Sequence, residues 1–314
     1  MKNKKRTYRI ADTVITLDWS RSRIPPDLKK NTHTDGFITR ARRNPDIYVR
    51  VEYGRPPRFK KRGVFKTEKD WRLYEDGRKY VYEVPDSEKR GGVAQVAAID
   101  KNFSRARLFI RRRGMPKNPR RRGRLRPDRW TISDIMLSFM QVLLLNYLAH
   151  NKKGVLVHSS ALRYAKRTLA FLGRHEAGKS TIARLWKEHS GQADIFNDDR
   201  CVIRRKNGRF RVYSTPWPGT FSDYGLGHKG ADLDRAYFIY HSKVNEMTRL
   251  SPKTAFMKVM QNVFPPFWSG EGMKFVLSFC HGFAKETDCY DLGFINDRNI
   301  INFLKKQIKE TGHE

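Results

Sequence analysis

The chain has 314 residues, of which 39% are hydrophobic and 12% aromatic, so it is long enough to fold around one large core or two ordinary ones. This composition excludes a disordered chain, and three scattered cysteines exclude a disulfide framework and predict buried thiols. The formal net charge of +33 favours an acidic partner. A charged N-terminus without a signal-like apolar segment predicts a cytoplasmic protein.

The first part of the chain is predicted to be rich in β-strands. Short segments of alternating apolar and polar residues extend from Tyr8 to about Ile110, and a turn at Asp76 and Gly77 joins two of them as a hairpin. We therefore predict a basic, β-rich N-terminal domain over residues 1–130.

A strongly basic segment lies between Arg105 and Arg129. It contains twelve Lys or Arg side chains and one acid, Asp128, and its prolines keep much of it from forming a helix. Residues 1–150 hold 38 basic and 16 acidic side chains, so +22 of the net charge of +33 lies in this half. An exposed basic loop of this kind could bind nucleic acid, an anionic membrane surface or an acidic protein, or could simply be solvated.

An apolar segment at residues 135–149 predicts a buried helix rather than a membrane span. It has about 15 residues, whereas a spanning helix needs roughly 20. Thr131 and Asp134 have the spacing of a capping box at its start. We predict no membrane span, and we interpret residues 131–150 as a bridging helix at the start of a second domain, residues 131–314.

The nine residues from Gly173 to Thr181 read Gly-Arg-His-Glu-Ala-Gly-Lys-Ser-Thr and match a phosphate-binding P-loop. An apolar strand-like run precedes them and a helical pattern follows, which is the context that the motif needs. Backbone N–H groups and the helix dipole would hold phosphate oxygens, while Lys179 would reach the β- and γ-phosphates and Ser180 would bind Mg²⁺. The predicted nucleotide-binding residues are Gly173, Glu176, Ala177, Gly178, Lys179, Ser180 and Thr181.

Two neighbouring acids, Asp198 and Asp199, follow the next apolar strand-like segment. In an α/β nucleotide-binding fold, residues at the carboxyl ends of strands face the ligand crevice. Adjacent side chains on an extended segment point in opposite directions, so we expect the two acids to have different roles. One can orient Mg²⁺ or its waters, and the other can accept the proton of an incoming hydroxyl. A solvated turn before the following hairpin is the alternative interpretation.

Together these segments resemble the HPr kinase/phosphorylase family, and more closely its HPr-kinase-related branch, which includes the tailoring kinases of lasso-peptide clusters. The resemblance covers roughly residues 154–305. It depends on a strand ending in His-Ser-Ser-Ala at residues 158–161, the P-loop, Asp-Asp-Arg at 198–200 and Thr-Pro-Trp-Pro-Gly at 215–219. It implies an α/β fold related to phosphoenolpyruvate carboxykinases, and phosphoryl transfer from ATP to a serine hydroxyl of a small protein or peptide.

The resemblance also implies a role for each matched residue. Asp199 would be the catalytic base, His158 would be an active-site histidine near the phosphates, and Ser180 and Asp198 would hold Mg²⁺. A buried histidine at the end of a strand is the alternative for His158. Glu176 stands where HPr kinases usually carry glycine, and a carboxylate pointing inward would repel phosphate.

A second hypothesis belongs to a different class of protein. In it, the chain binds nucleotide as a switch or assembly module, and its basic loop holds nucleic acid without phosphoryl transfer. The paired acids favour the kinase, because a binding module has less need of a base beside the metal ligand. We therefore expect an ATP- and Mg²⁺-dependent serine kinase whose basic half attracts an acidic protein or peptide; an oligomer is possible.

Overall fold

The part of the chain that the computed structural model describes consists of residues 4–22, 25–28, 32–40, 43–67, 71–85, 92–110, 130–221 and 223–310. It is a mixed α/β protein with two large sheets. It divides into two compact units, the first made of residues 1–31 and 38–147 and the second of residues 32–37 and 148–314. Most of the apolar helix that we assigned to the second domain therefore belongs to the first unit. The predicted basic loop lies, beyond Ile110, outside the described residues.

The first unit is built on an eight-stranded sheet. Its strands are β1 (Lys5–Ile10), β2 (Thr13–Asp18), β3 (Ile47–Tyr53), β4 (Arg62–Lys66), β5 (Arg72–Asp76), β6 (Lys79–Pro85), β7 (Val93–Asp100) and β8 (Arg105–Ile110). They lie in the order β1-β2-β3-β8-β7-β6-β5-β4. Strand β3 runs parallel to both β2 and β8, and the other neighbours are antiparallel. The predicted hairpin at Asp76 and Gly77 joins β5 to β6.

The predicted apolar helix packs on this sheet. It consists of α1 (Ile132–Asp134), a π-helical stretch (Ile135–Met140) and α2 (Gln141–His150). Thr131 and Asp134 form the expected capping box at its start. The ring centroid of Phe139 lies 5.6 Å from that of Tyr82, and Gln95 Nε2 donates to the Asp134 carbonyl at 3.0 Å. The helix is long and apolar enough to cross a membrane. However, 61% of its most apolar 18-residue stretch is buried inside the structure, as in the core helix of a globular unit.

The second unit holds a nine-stranded sheet. Its strands are β9 (Val155–Tyr164), β10 (Arg167–Leu172), β11 (Asp194–Asn197), β12 (Arg200–Lys206), β13 (Arg209–Tyr213), β14 (Gly230–Asp232), β15 (Arg235–His241), β16 (Glu246–Arg249) and β17 (Asp288–Phe294). They lie in the order β14-β13-β12-β9-β10-β15-β17-β16, with β11 paired to β9. Strands β10, β15 and β17 run parallel, so their carboxyl ends meet at one edge of the sheet. In open α/β sheets that edge is where ligands bind.

Helices cover this sheet and bury its apolar side chains. They are α3 (Lys179–His189), α4 (Pro252–Met260), α5 (Gly270–Glu286) and α6 (Asn299–Glu310). One buried cluster includes Phe283 of α5, and another joins Trp186 of α3 to Leu304 of α6. Burial also raises the pKa of each cysteine thiol to about 12. The three free cysteines are the core residues Cys201, Cys280 and Cys289.

Candidate active site

The predicted P-loop lies at the edge where the parallel strands end. It leaves β10 at Leu172 and enters α3 at Lys179, so the motif has the strand and helix on either side that it needs. Gly178 precedes the helix with a φ of +96°, and a Cβ there would lie only 2.6 Å from Phe294 Cζ. A side chain would fit neither the left-handed backbone nor the space, so this position requires glycine. The loop thus turns directly into a helix N-terminus, which favours phosphate binding.

A cleft of about 620 Å³ opens beside the loop. Its walls include two of the predicted catalytic residues, His158 and Asp199, and much of the P-loop. The predicted nucleotide-binding residues that line it are Glu176, Gly178, Lys179, Ser180 and Thr181. Gly173 and Ala177 belong to the loop without lining the cleft, and Asp198 is fully buried behind it. The structure therefore brings the separate sequence motifs together around one cavity.

Lys179 is a buried cation in this cleft. Its Nζ donates hydrogen bonds to the carbonyl oxygens of Gly173 at 2.9 Å and Arg174 at 2.8 Å. Burial lowers the pKa of Lys179 to about 8, although the charges of Asp199 and Asp198 oppose this shift. An anionic phosphate in the cleft would stabilise the charged form. The lysine is therefore suited to bind phosphate.

Asp198 is the centre of a group of hydrogen bonds that we call the buried carboxylate cluster: Ser180, Asp198, Gly219, Phe221 and Tyr224. Oδ1 accepts from Gly219 N at 2.6 Å and from the Tyr224 hydroxyl at 2.7 Å. Oδ2 accepts from Ser180 Oγ at 2.7 Å and from Phe221 N at 3.0 Å. Burial and the charge of Asp198 raise the pKa of Tyr224, so its hydroxyl stays protonated and remains a donor.

The oxygen atoms of this cluster fit a magnesium ion at Ser180. The Ser180 hydroxyl donates a hydrogen bond to Asp198 Oδ2, which leaves the lone pairs of Oγ for a hard cation. Because Asp198 already accepts four hydrogen bonds from protein donors, its first effect is to orient Ser180. Within the described ranges, no group of three or more His, Cys, Asp or Glu residues could hold a metal alone. A cation here would take further ligands from phosphate and water, as is usual for Mg²⁺ in P-loops.

Gly219 closes the buried carboxylate cluster, and its role was not predicted. A Cβ at this position would lie 2.7 Å from Asp198 Oδ2 and 2.8 Å from Ser180 Oγ. Any side chain would push this hydrogen-bonded pair apart. Sequence reasoning included Gly219 only as the end of a resembling segment and did not single out Phe221 or Tyr224. Proline and glycine are typical of turns, but nothing in the segment indicates contact with Asp198.

His158 and Asp199 form a second feature, which we call the cleft pair. His158 Nε2 donates to Asp199 Oδ1 at 2.7 Å, and each side chain is 21% exposed. Burial would raise the pKa of Asp199, but the hydrogen bond from His158 and electrostatic interactions with His158, Arg200 and Lys179 hold it below its usual value. Asp199 is therefore an ionised carboxylate that faces the cleft.

The pairing of β9 with β12 explains how the cleft pair forms. Strand β12 is antiparallel to β9, with Arg200 opposite His158, so the residue before Arg200 lies beside the histidine. The strand that we expected to end at residue 161 continues to Tyr164, because it also pairs with β10 and β11. His158 is accordingly a half-buried residue within a strand, facing the cleft, and not a core histidine at a strand end.

Several further residues line the cleft that were not predicted as site residues, and two of them are His241 and Phe264. His241 ends β15, and its Nε2 donates to the Glu176 carbonyl at 2.8 Å. Phe264 lies with its ring centroid 5.9 Å from that of His158, and the Arg200 guanidinium lies 5.6 Å from the same phenyl ring. The apolar run before His241 was a usable signal, since a polar residue ending a buried parallel strand lies at the ligand-binding edge.

Glu176 occupies a glycine-like position in the loop. Its φ is 64°, in the left-handed region, and its side chain is 86% exposed. The backbone therefore takes a conformation that favours glycine, while the carboxylate extends into solvent. This explains how glutamate is accommodated where the resembling family usually has glycine.

Comparisons with known proteins add little to this geometry. No family description matches the chain, and no curated protein is similar to it. Among solved structures, the HPr(Ser) kinase/phosphatase from Coxiella burnetii aligns with 51% of this chain and 99% of its own, at 10% identity and a TM-score of 0.31. A likeness at that TM-score supports neither a shared fold nor a shared activity, so the function of this chain has to be inferred from its own site.

Proposed function

We propose that this protein is an ATP-dependent kinase that transfers the γ-phosphate of ATP to a serine hydroxyl of a protein or peptide. One observation carries the proposal: an ionised carboxylate held by a histidine faces the same cleft as the P-loop lysine and serine. Lys179 and Ser180 account for nucleotide binding. Asp199 and His158 have no evident use in binding alone, whereas phosphoryl transfer needs a group that accepts a proton.

The buried side of the cleft would bind the nucleotide. Lys179 would exchange its two bonds to loop carbonyls for contacts with phosphate oxygens, and the N–H groups at the start of α3 would add to them. Ser180 would hold Mg²⁺, which would neutralise part of the phosphate charge. Asp198 keeps the Ser180 hydroxyl in one orientation through their 2.7 Å hydrogen bond.

The cleft pair would handle the acceptor hydroxyl. Asp199 would take the proton of the hydroxyl while the hydroxyl oxygen attacks the γ-phosphorus, the bond from that phosphorus to the β–γ bridging oxygen breaks, and ADP leaves. His158 would hold the carboxylate in place through Oδ1. The other carboxylate oxygen, Oδ2, lies 3.4 Å from Arg200 Nε, which stabilises its negative charge. This geometry supports a hydroxyl acceptor; the choice of serine follows from the family resemblance.

The test is transfer of label from γ-labelled ATP. The full chain would be incubated with Mg²⁺ and peptides that carry one serine, threonine or tyrosine in acidic or basic surroundings. We expect label in serine peptides, and loss of that label in Asp199→Asn and Lys179→Met. Glu188→Gln is the matched control, because it removes an exposed carboxylate on α3 that lies outside the cleft.

A different set of results would contradict the kinase proposal. If the chain binds ATP, labels no peptide, and instead binds single-stranded nucleic acid with an affinity that responds to ATP and falls steeply with salt, it is a nucleotide-controlled binding module. That outcome would replace the kinase with the second hypothesis.

A further inference from the structure

A groove of about 460 Å³ lies on the sheet of the first unit. It is lined by residues of β3, β8, β7 and β6 and by the loop residues Pro57 and Phe59. In the parallel pairing of β3 with β8, Tyr48 lies opposite Arg105 and Arg50 opposite Arg107, so these four side chains share one face. The groove has no residue in common with the nucleotide cleft and has no role in the proposed chemistry.

The rim of this groove is positively charged. Four cations and one carboxylate line it: Arg50, Lys79, Arg105, Arg107 and Asp100. Asp100 accepts hydrogen bonds from Ser104 N and Ser104 Oγ, both at 2.8 Å, so both of its oxygens are engaged by neutral donors of the following turn. Arg107 is held by Glu52 through two hydrogen bonds, at 2.7 and 2.8 Å. Arg105 Nη1 donates to the Ser104 carbonyl at 3.1 Å, which leaves its other guanidinium N–H groups for a ligand. The cations most available to a ligand are thus Arg50, Lys79 and Arg105.

The walls between these cations are apolar. Ala98, Pro57 and Phe59 line them, together with the ring of Tyr48. A ligand that carried only negative charge would gain nothing from such walls, since burying apolar surface needs an apolar partner. The occupant therefore combines carboxylate or phosphate groups with an apolar group.

A peptide fits this combination better than a nucleic acid. Single-stranded nucleic acids stack their bases on exposed aromatic rings. Phe109 is only 3% exposed, and the guanidinium of Arg107 lies 4.8 Å from the centre of its ring. The other two rings that line the groove, Tyr48 and Phe59, are half-buried, and the Lys5 ammonium lies 5.7 Å from the centre of the Tyr48 ring. The described part of the groove thus offers no row of open rings, whereas guanidinium groups bind carboxylates through paired hydrogen bonds.

We propose that this groove binds an acidic segment of the polypeptide substrate. Carboxylates of the segment bind Arg50, Arg105 and Lys79, and a neighbouring apolar side chain packs against the groove walls. The identification of the segment as part of a substrate depends on the proposed kinase function; the binding itself does not. Because the groove residues take no part in phosphoryl transfer, their loss raises the KM for the peptide and leaves kcat unchanged.

The test compares two probes, a fluorescein-labelled copolymer of glutamate and tyrosine and a polyglutamate of the same length. Fluorescence anisotropy with the full chain gives both dissociation constants. We expect the double variant Arg50→Glu, Arg105→Glu to bind the copolymer at least about tenfold more weakly at about 0.15 M salt. Lys4→Glu, Lys66→Glu makes the same charge change at exposed sites outside the groove and is expected to stay within about twofold of the wild type.

A third variant separates the apolar contribution from the charge. Ala98→Phe fills the groove without changing any charge. We expect it to remove the preference for the copolymer over polyglutamate and to leave polyglutamate binding unchanged. It also keeps the test decisive if the charge-reversed variant fails to fold, as judged by its thermal unfolding.

Three results would overturn the inference. The first is that the groove variant and its control lose affinity for the copolymer equally. The second is that an oligothymidylate binds the wild type more tightly than the copolymer does and no longer binds the groove variant. The third is that the wild type does not bind the copolymer. ATP affinity is measured on the same samples and should not change. If the groove binds the copolymer while no peptide is phosphorylated, the kinase proposal fails alone; if peptides are phosphorylated while the groove variants bind the copolymer normally, the groove proposal fails alone.

Discussion

The buried carboxylate cluster and the cleft pair are built around neighbouring residues that have opposite surroundings. Asp198 has no exposed surface and accepts four hydrogen bonds, whereas Asp199 accepts one from His158 and faces the cleft. The two acids lie in a bend between β11 and β12, and not in the extended segment that the sequence predicted. Asn197 Oδ1 accepts hydrogen bonds from the N–H groups of Asp199 and Arg200, at 2.9 Å each, and this turn directs the two carboxylates to different surroundings. One residue type therefore serves two purposes at adjacent positions. Replacing Asp198 should affect stability first, and replacing Asp199 should affect activity first.

The largest expected effect is the loss of activity when Asp199 is replaced. Asp199→Asn removes the proton acceptor while keeping the size of the side chain, so we expect kcat to fall about 10²- to 10⁴-fold. ATP affinity, measured by calorimetry, should stay within about threefold, because Asp199 does not hold phosphate. An unchanged kcat would mean that the cleft pair supplies no base.

The next largest effect is the loss of stability when Asp198 is replaced. Asp198→Ala leaves four donors without their acceptor: the N–H groups of Gly219 and Phe221 and the hydroxyls of Tyr224 and Ser180. We expect the free energy of unfolding, measured in urea, to fall by about 3–5 kcal/mol. Ser180→Ala is the control: it removes one hydrogen bond, should cost only about 1 kcal/mol, and should weaken the dependence of ATP binding on Mg²⁺. A loss below about 1 kcal/mol in Asp198→Ala would contradict the burial of this carboxylate.

Lys179 interacts electrostatically with both Asp198 and Asp199, and its titration should make stability and ATP binding depend on pH. Its pKa of about 8 in the folded chain is below the ordinary value of 10.5, so the unfolded chain binds more protons between these two values. Stability should accordingly gain from this group as the pH rises through that window. ATP binding should reverse the shift and take up about 0.7 proton at about pH 8.5, measured by calorimetry in buffers of different ionisation enthalpy. Lys179→Arg, which stays charged, should show no uptake from this position.

The smallest effect is expected in the loop itself. Glu176 has a left-handed φ of 64°, so Glu176→Gly should relieve backbone strain and stabilise the chain by up to about 1 kcal/mol after the greater flexibility of unfolded glycine is counted. Glu176→Ala is the control, since it removes the carboxylate and keeps the strain. Thermal unfolding distinguishes the two variants, and equal stabilisation by both would assign the effect to the charge.

The sequence predicted those parts of the site that are formed by residues close together in the chain. The P-loop has a fixed spacing between a strand and a helix, and the two acids directly follow a short apolar strand. Their assignment to base and metal roles remains a prediction. The capping box at Thr131 and the hairpin at Asp76 and Gly77 were also predicted from residues close together in the chain, and the structure confirms both.

The contacts that give these residues their environments could not be predicted. Gly219 and Tyr224 are 21 and 26 positions from Asp198, and His158 is 41 positions from Asp199. Only the order and pairing of the strands brings them together. The groove has the same origin, since the parallel pairing of Tyr48 with Arg105 joins segments that show no mutual signal in the sequence. The prediction about the basic loop stays untested, because most of it lies outside the described residues.

The three core cysteines make the chain suitable for site-specific labelling. A thiol with a pKa of about 12 has a thiolate fraction below about 10⁻⁴ at neutral pH, and burial also keeps reagents away. A cysteine introduced at an exposed position would react far faster than any native one. Phe267, which is 67% exposed between α4 and α5, is such a position. A single fluorophore could therefore report on ligand binding without removal of any native cysteine.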